Sequence, residues 1–259
     1  MYGRHTTLRL DDRIYDSDSI DMDFDVFFDS RSQEPDISQV ILYNLSPDSR
    51  AKLEKGQIVT LTAGYKDGDR GSILVGEVAD FRFRRTGPDT EAAIDVAPGI
   101  GAWMDGVVNK SFKPGIRASQ VARGLLEDFG LEIGGIDLAE DVVYPSGRAF
   151  SGPLRDALGQ VAKDCGSVLE LRVNAVFIQQ PKAGSTTATL ISGRTGLIDP
   201  PERIYIDDEP GYKLTTLLNP ALTYGSLVQI QSNLASGNFR VVSGIHRGDY
   251  TTELEVVPL

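Results

Sequence analysis

The chain has 259 residues, 41% of them hydrophobic and 24% charged, a balance that excludes a disordered polymer and leaves room for one large domain or two to three small ones. Thirty-seven acidic against 26 basic residues give a net charge of −11. Lys and Arg form no stripe, which argues against the phosphate-gripping surface that tight nucleic-acid binding requires. A single Cys165 excludes an internal disulfide and a cysteine zinc site, and no apolar run reaches the roughly 18 residues of a membrane-spanning helix.

Residues 1–100 read as strands. Met1-Tyr-Gly-Arg-His-Thr-Thr-Leu8 lacks the charged-then-apolar order of a signal peptide, and the first strand is expected over Thr6–Leu10. Ile20–Val26 alternates strictly, with Ile20, Met22, Phe24 and Val26 on one face and Asp21, Asp23 and Asp25 on the other. Ile37–Leu45 is a third strand. Ser46, Pro47 and the residues to Leu53 read as a short helix, with Ser46 as N-cap, Pro47 at the first helical position and Gly56 as its end. Ile58–Tyr65 and Ser72–Arg84 form a hairpin across Lys66–Gly71, and Glu91–Ala97 is the last strand of the set. About six strands and one short helix suit a closed barrel.

Residues 101–181 change character. A helix is expected over Arg117–Phe129, with Ala118, Val121, Ala122, Leu125 and Phe129 on one stripe. A second is expected over Pro153–Cys165, with Leu154, Ala157, Leu158, Val161, Ala162 and Cys165 on its apolar face, Ser151 as N-cap and Gly166 as stop. A hairpin follows, Val168–Val173 and Val176–Gln180 with a turn near Asn174-Ala175. Residues 182–259 return to short strands separated by Gly and Pro, the pattern of a small antiparallel barrel. The expected fold is therefore mainly β with an α/β insert: two tube-like antiparallel β-barrel domains, 1–100 and 182–259, flanking a two-helix plus hairpin module at 101–181.

Candidate chemistry is sparse. The Asp-rich stretch Asp11, Asp12, Asp16, Asp18, Asp21, Asp23, Asp25 fails the EF-hand pattern, because counting from Asp16 puts Ile20 at the fifth position and Phe27 at the twelfth. Three carboxylates on one strand face are expected to meet open water. The histidines, His5 and His246, lie near opposite ends, and no Gly-x-Ser-x-Gly elbow or Walker A loop accompanies them. Gly99-Ile-Gly101 lacks the third glycine of a dinucleotide loop. Cys165 on its apolar stripe reads as a small core residue, and Trp103 as a packing residue where the first barrel meets the insert. No catalytic residue, cofactor or metal is expected.

An ordered set of segments resembles the tail-hub family, the baseplate or tail-tip hub proteins of tailed phages and contractile injection systems. They are Ile37–Arg50, Val108-Asn-Lys-Ser-Phe-Lys-Pro-Gly115, Tyr144-Pro-Ser-Gly-Arg-Ala-Phe-Ser-Gly152, Thr195–Arg203, Lys213–Ser232, Phe239–Asp249 and Thr252–Pro258. The resemblance covers most of residues 20–259 and carries no catalytic signature. It implies a structural, non-enzymatic virion protein made in the bacterial host cytoplasm. It also implies a homotrimer of paired tube domains that joins a sixfold tail tube or distal tail protein to a threefold spike or tail-tip protein, around a channel for DNA and the tape-measure protein. Residues 1–100 carry 19 acidic and 12 basic side chains, more than half of the excess charge. Asp21, Asp23 and Asp25 are accordingly the candidate channel-lining residues, repelling phosphates close to the wall. The other classes open to the sequence are a carbohydrate-binding or adhesin module of a tail tip and a cell-wall hydrolase.

Overall fold

The computed structural model describes residues 3–29, 37–98, 106–129, 132–172, 175–180 and 188–259. The chain divides into two compact units, one made of residues 1–97 together with 184–259, the other of residues 98–183. The protein is mainly β.

The first unit opens with β1 (Arg4–Leu10), β2 (Arg13–Asp16), β3 (Met22–Asp29) and β4 (Ser38–Tyr43). Helix α1 (Pro47–Arg50), β5 (Ile58–Tyr65), β6 (Arg70–Thr86) and β7 (Asp89–Pro98) follow. Ser46 caps α1 as its sequence position predicts, its Oγ accepting the Ser49 amide at 3.1 Å. Strand β2 is not anticipated by the sequence reading. Its four residues are too few to show a period, and it exists because its backbone pairs with β1, Leu8 opposite Tyr15.

Residues 98–183 hold β8 (Val107–Phe112), β9 (Ile116–Arg117), α2 (Ala118–Asp128), β10 (Glu132–Asp137), β11 (Val143–Tyr144) and β12 (Arg148–Pro153). After these come α3 (Leu154–Asp164), β13 (Val168–Arg172) and β14 (Ala175–Gln179). Helix α2 buries Ala118, Val121, Ala122 and Leu125 as its spacing predicts, with Leu126 buried as well and the expected Phe129 only partly buried against the same core, and α3 buries Leu154, Ala157, Leu158, Val161 and Ala162. Cys165 closes the second stripe at 1% exposure. The Ser151 cap is corrected. Ser151 belongs to β12, opposite Asn109 of β8, and Pro153 occupies the N-cap with no side-chain hydrogen bond. The Leu154 amide is satisfied instead by the Gly106 carbonyl at 2.7 Å. A ladder partner thus won over the local capping preference. Gly166 ends α3 in the left-handed region at φ +60°.

The last segment supplies β15 (Thr189–Ser192), β16 (Glu202–Ile206), β17 (Glu209–Leu217), β18 (Leu227–Gln231), β19 (Ser236–Arg247) and β20 (Thr251–Pro258) to the first unit. Here β15 runs parallel to β18, a departure from an all-antiparallel set. The two terminal segments share one 13-stranded sheet, ordered β16-β17-β20-β19-β3-β4-β7-β6-β5-β1-β2, with β18 and β15 branching from β19.

The splice between them is made by two strands that each change partner partway. Strand β3 pairs with β4 over Met22–Asp25 and with β19 over Asp25–Asp29. Strand β19 pairs with β18 over its first half and with β3 over Ser243–Arg247, after a bulge between Val241 and Ser243. One core gathers Leu8, Phe24, Val40, Leu61 and Ile94, and another gathers Leu214, Val228, Phe239 and Val256. Tyr250 and Leu218 reach from the late segment into the first of these cores, where the Tyr250 hydroxyl and Thr6 Oγ1 lie 2.5 Å apart.

Candidate functional site

Strand β3 lies at the middle of the shared sheet, and its alternation decides which side chains face out. Phe24 and Val26 are buried at 2% exposure each, while Asp21 and Asp23 are exposed and Asp25 is half-buried. The three aspartates are not equivalent. Asp21 precedes the strand, and its carbonyl accepts the Tyr43 amide at 2.9 Å. Asp23 receives its own neighbour's amide, Phe24 N to Oδ1 at 2.8 Å, and lies against Gly248. Asp25 occupies the residue where the β4 and β19 ladders meet, opposite Gln39 on one side and Arg247 on the other. Its Oδ1 pairs with Arg247 Nη1 at 3.3 Å.

That ion pair is one link in a belt across seven strands. On β17, Lys213 Nζ meets Glu253 Oε2 of β20 at 3.0 Å, and Glu253 Oε1 receives Arg247 Nε of β19 at 3.3 Å. Asp25 of β3 follows, and Gln39 of β4 stands opposite it in the ladder, its Nε2 donating to Asp95 Oδ1 of β7 at 2.7 Å. Arg82 of β6 ends the belt, Nη2 lying 3.0 Å from Asp95 Oδ2. The hydrogen bond from Lys213, helped by the Arg247 charge, holds the Glu253 carboxyl below the usual carboxylate range against the opposing cost of its burial. Three cations and three anions balance within the belt. Asp21 and Asp23 carry the charge left over, since neither forms an ion pair among the described residues.

The sequence predicted the aspartate face but not its partners. The signal for Glu253 and Arg82 was present as the alternations Glu253-Leu-Glu255 and Arg82-Phe-Arg84. Joining them to the aspartate face needs the register of strands far apart in the chain, since Arg247 and Asp25 are 222 positions apart.

The other candidates are spoken for. His246 is buried, with Nε2 donating to the Leu222 carbonyl at 3.0 Å and Nδ1 receiving the Thr252 hydroxyl at 2.8 Å. Burial lowers its pKa to about 4, against a weaker opposing hydrogen bond to Leu222. His5 Nε2 lies 2.9 Å from Asp16 Oδ2, and Lys66 Nζ holds both oxygens of Asp18 at 2.6 and 2.8 Å. These three groups, His5, Asp16 and Asp18, offer donor atoms within 4.8 Å of one another, but the chain's own ammonium is seated on Asp18. Asp11 is used by the backbone, its Oδ1 accepting the Ile58 amide at 2.9 Å. Burial pushes the Cys165 thiol up, away from the thiolate a nucleophile needs. Trp103, Gly99–Gly101 and Asn174 lie outside the described residues.

No family model matches the chain, and no curated protein matches it in sequence. Solved structures do match its fold along its whole length. The 43 kDa tail protein of prophage MuSo2 from Shewanella oneidensis superposes with a TM-score of 0.74 at 10% identity, covering 99% of this chain and 98% of that one. A tail protein from Neisseria meningitidis gives 0.73 at 10% identity, covering 99% and 97%. A component of the E. coli type VI secretion system, described as structurally similar to T4 bacteriophage tail proteins, gives 0.67 at 9% identity, covering 97% and 76%. The protein therefore has the fold of phage tail proteins, in keeping with the resemblance its ordered segments carry.

Proposed function

We propose that this chain is a structural hub of a phage tail baseplate. Three copies form a ring that joins a sixfold tail tube or distal tail protein to a threefold spike or tail-tip protein. DNA and the tape-measure protein pass through its centre. The observation that carries this reading is the fold match over 99% of the chain to prophage tail proteins, extending to both terminal segments and the insert. The shared sheet supports it. The late segment supplies strands to the same sheet as the first, so each copy offers two strand-rich halves, taken as two tube-like subdomains, one before and one after the insert in the chain. Three copies of two halves reconcile threefold with sixfold symmetry. The role is architectural and not enzymatic.

The face of β3 bearing Asp21, Asp23 and Asp25 is taken as the channel wall. Asp25 is compensated by Arg247, so within a single copy the unpaired charge of this face falls to Asp21 and Asp23. A wall of mostly paired charges with a small negative excess gives phosphate nothing to grip, within the roughly 8 Å over which such fields reach at physiological salt.

The ring is tested by multi-angle light scattering of the purified chain across micromolar to high-micromolar concentration. The expected mass is close to three times 28.1 kDa. Electron micrographs of assembled tails should place this chain in a threefold ring on the tail axis. A particle that carries the protein off the axis would remove the hub reading.

A further inference from the structure

In the first half of the sheet, β5 is paired with β6 only over Ile58–Gly64 and Arg70–Glu77. Strand β6 runs on to Thr86, so its last nine residues lie beyond β5, although Gln57 still meets Val78 at their start. Arg82, Phe83, Arg84, Arg85 and Thr86 on that overhang are exposed. Arg82 is engaged with Asp95, but Arg84 and Arg85 form no ion pair among the described residues; the nearest partner of Arg85 is the Gly87 carbonyl at 3.4 Å. As consecutive strand residues they point to opposite faces, so each face of the overhang carries one uncompensated cation, in a chain of net charge −11.

The opposite boundary of the same four strands, β6-β7-β4-β3, is the start of β3. There β19 begins to pair only at Asp25, and the two uncompensated anions, Asp21 and Asp23, are exposed. Three strand-to-strand steps of about 4.8 Å separate the two boundaries by about 14 Å. That is too far for an arginine to reach an aspartate of its own chain. One boundary is therefore positive, the other negative, and each lacks its complement within the molecule.

We propose that these boundaries are the two halves of one heterologous contact between copies of this chain, Arg84 of one copy meeting Asp21 and Asp23 of the next, with Arg85 flanking the same contact from the reverse face of the overhang. This rests on the ring reading above and says which surfaces form the ring. A head-to-tail contact of this kind closes into a ring when the repeated rotation returns to its starting copy with no rise along the axis, and otherwise runs on as an open filament. In the ring the charges that a single copy leaves unpaired at Asp21 and Asp23 are met at the seams by a neighbour's arginines, so the wall becomes one of paired charges, while the ring as a whole keeps the acidic surplus of its chains. Arginines that only keep an open strand boundary soluble would leave assembly unchanged on charge reversal.

Two measurements on the full chain test it. First, Arg84→Glu with Arg85→Glu, and separately Asp21→Arg with Asp23→Arg, should each raise the concentration needed for the assembled mass at least tenfold. The four changes combined in one chain should restore it, because every contact is then reversed in sign. Thermal unfolding of each variant checks that the fold is kept. Second, Arg84→Cys with Asp23→Cys in one chain should give, on oxidation, a ladder of cross-linked species that stops at three. A disulfide within one chain is excluded by the 14 Å span, and Cys165 is buried. A wild-type chain that does not assemble, together with a double-cysteine chain that yields no cross-linked species, overturns both the ring and this contact. A wild-type trimer unaffected by either charge reversal, or disrupted by both and not restored by their combination, overturns this contact alone.

Discussion

His246 shows how a residue's surroundings override its ordinary chemistry. Both ring nitrogens are engaged inside the protein, and Phe28 lies 5.0 Å from it, ring centre to ring centre. Its pKa falls to about 4 from the 6.5 of a free side chain. The folded state thus refuses a proton that the unfolded chain accepts. Stability from this group is complete above pH 6.5 and is lost as pH falls towards 4, by on the order of 3 kcal/mol across the window. Glu253, Asp18 and Asp80 are held low by their lysine partners, so they lose their contribution only at lower pH, through the carboxylate range. In a His5→Asn background, leaving one imidazole to titrate, the urea midpoint should drop between pH 7 and pH 5. Adding His246→Gln should flatten that slope, and an equal drop in both proteins would refute the assignment. Nothing in the sequence around His246 announces this. Its partners are Leu222 and Thr252, and only the packing of distant strands makes the site dry. The aspartates of β3 are the converse case, since strict alternation with Phe24 and Val26 made their face legible from seven residues.

At the scale of elements, legibility follows the range of the force that shapes each one. Helices α2 and α3 were readable because their apolar stripes are local, and α1 because Ser46 and Pro47 act within one turn. Strand β2, the parallel β15–β18 pair and the mid-strand exchange of partners by β3 and β19 depend on residues far away in the chain, and no local pattern encodes them. Gly244 marks that exchange. It lies opposite Phe28 on one side and Leu254 on the other. A Cβ there would stand 2.5 Å from Phe28 Cζ and 2.6 Å from the Glu253 carbonyl oxygen. The carbonyl belongs to the ladder and cannot step aside, so Gly244→Ala should cost about 1–3 kcal/mol. Gly193, with no atom within 4 Å of a built Cβ, is the matched control and should change stability by less than about 0.5 kcal/mol on substitution to Ala. Thermal melts of the two variants measure the difference. Equal midpoints would mean that the strand splice is looser than the structure shows.

For the whole molecule, the sheet order sets what folds with what. Residues 1–97 do not complete their own sheet: the second half of β3 has β19 as its partner, and Tyr250 and Leu218 complete the core around Phe24 and Leu42. Residues 98–183 differ. Their core of Val121, Leu125, Leu126, Leu154, Leu158, Val161, Val176 and Ile178 is drawn entirely from within that span. Ion pairs such as Lys110 with Asp128 and Arg148 with Asp164, the latter at 3.3 Å, also close within it. A segment with its own core keeps its structure when excised, whereas one that borrows strands exposes unpaired edges and apolar faces. The fragment 98–183 expressed alone should therefore give a cooperative thermal transition and slow amide exchange in α2 and α3. The fragment 1–97 should aggregate or melt without a transition, and adding the fragment 184–259 should recover slow exchange in β3. Strong protection of β3 in the lone 1–97 fragment would show that the early strands close on themselves, and that the late segment is an addition to a finished domain.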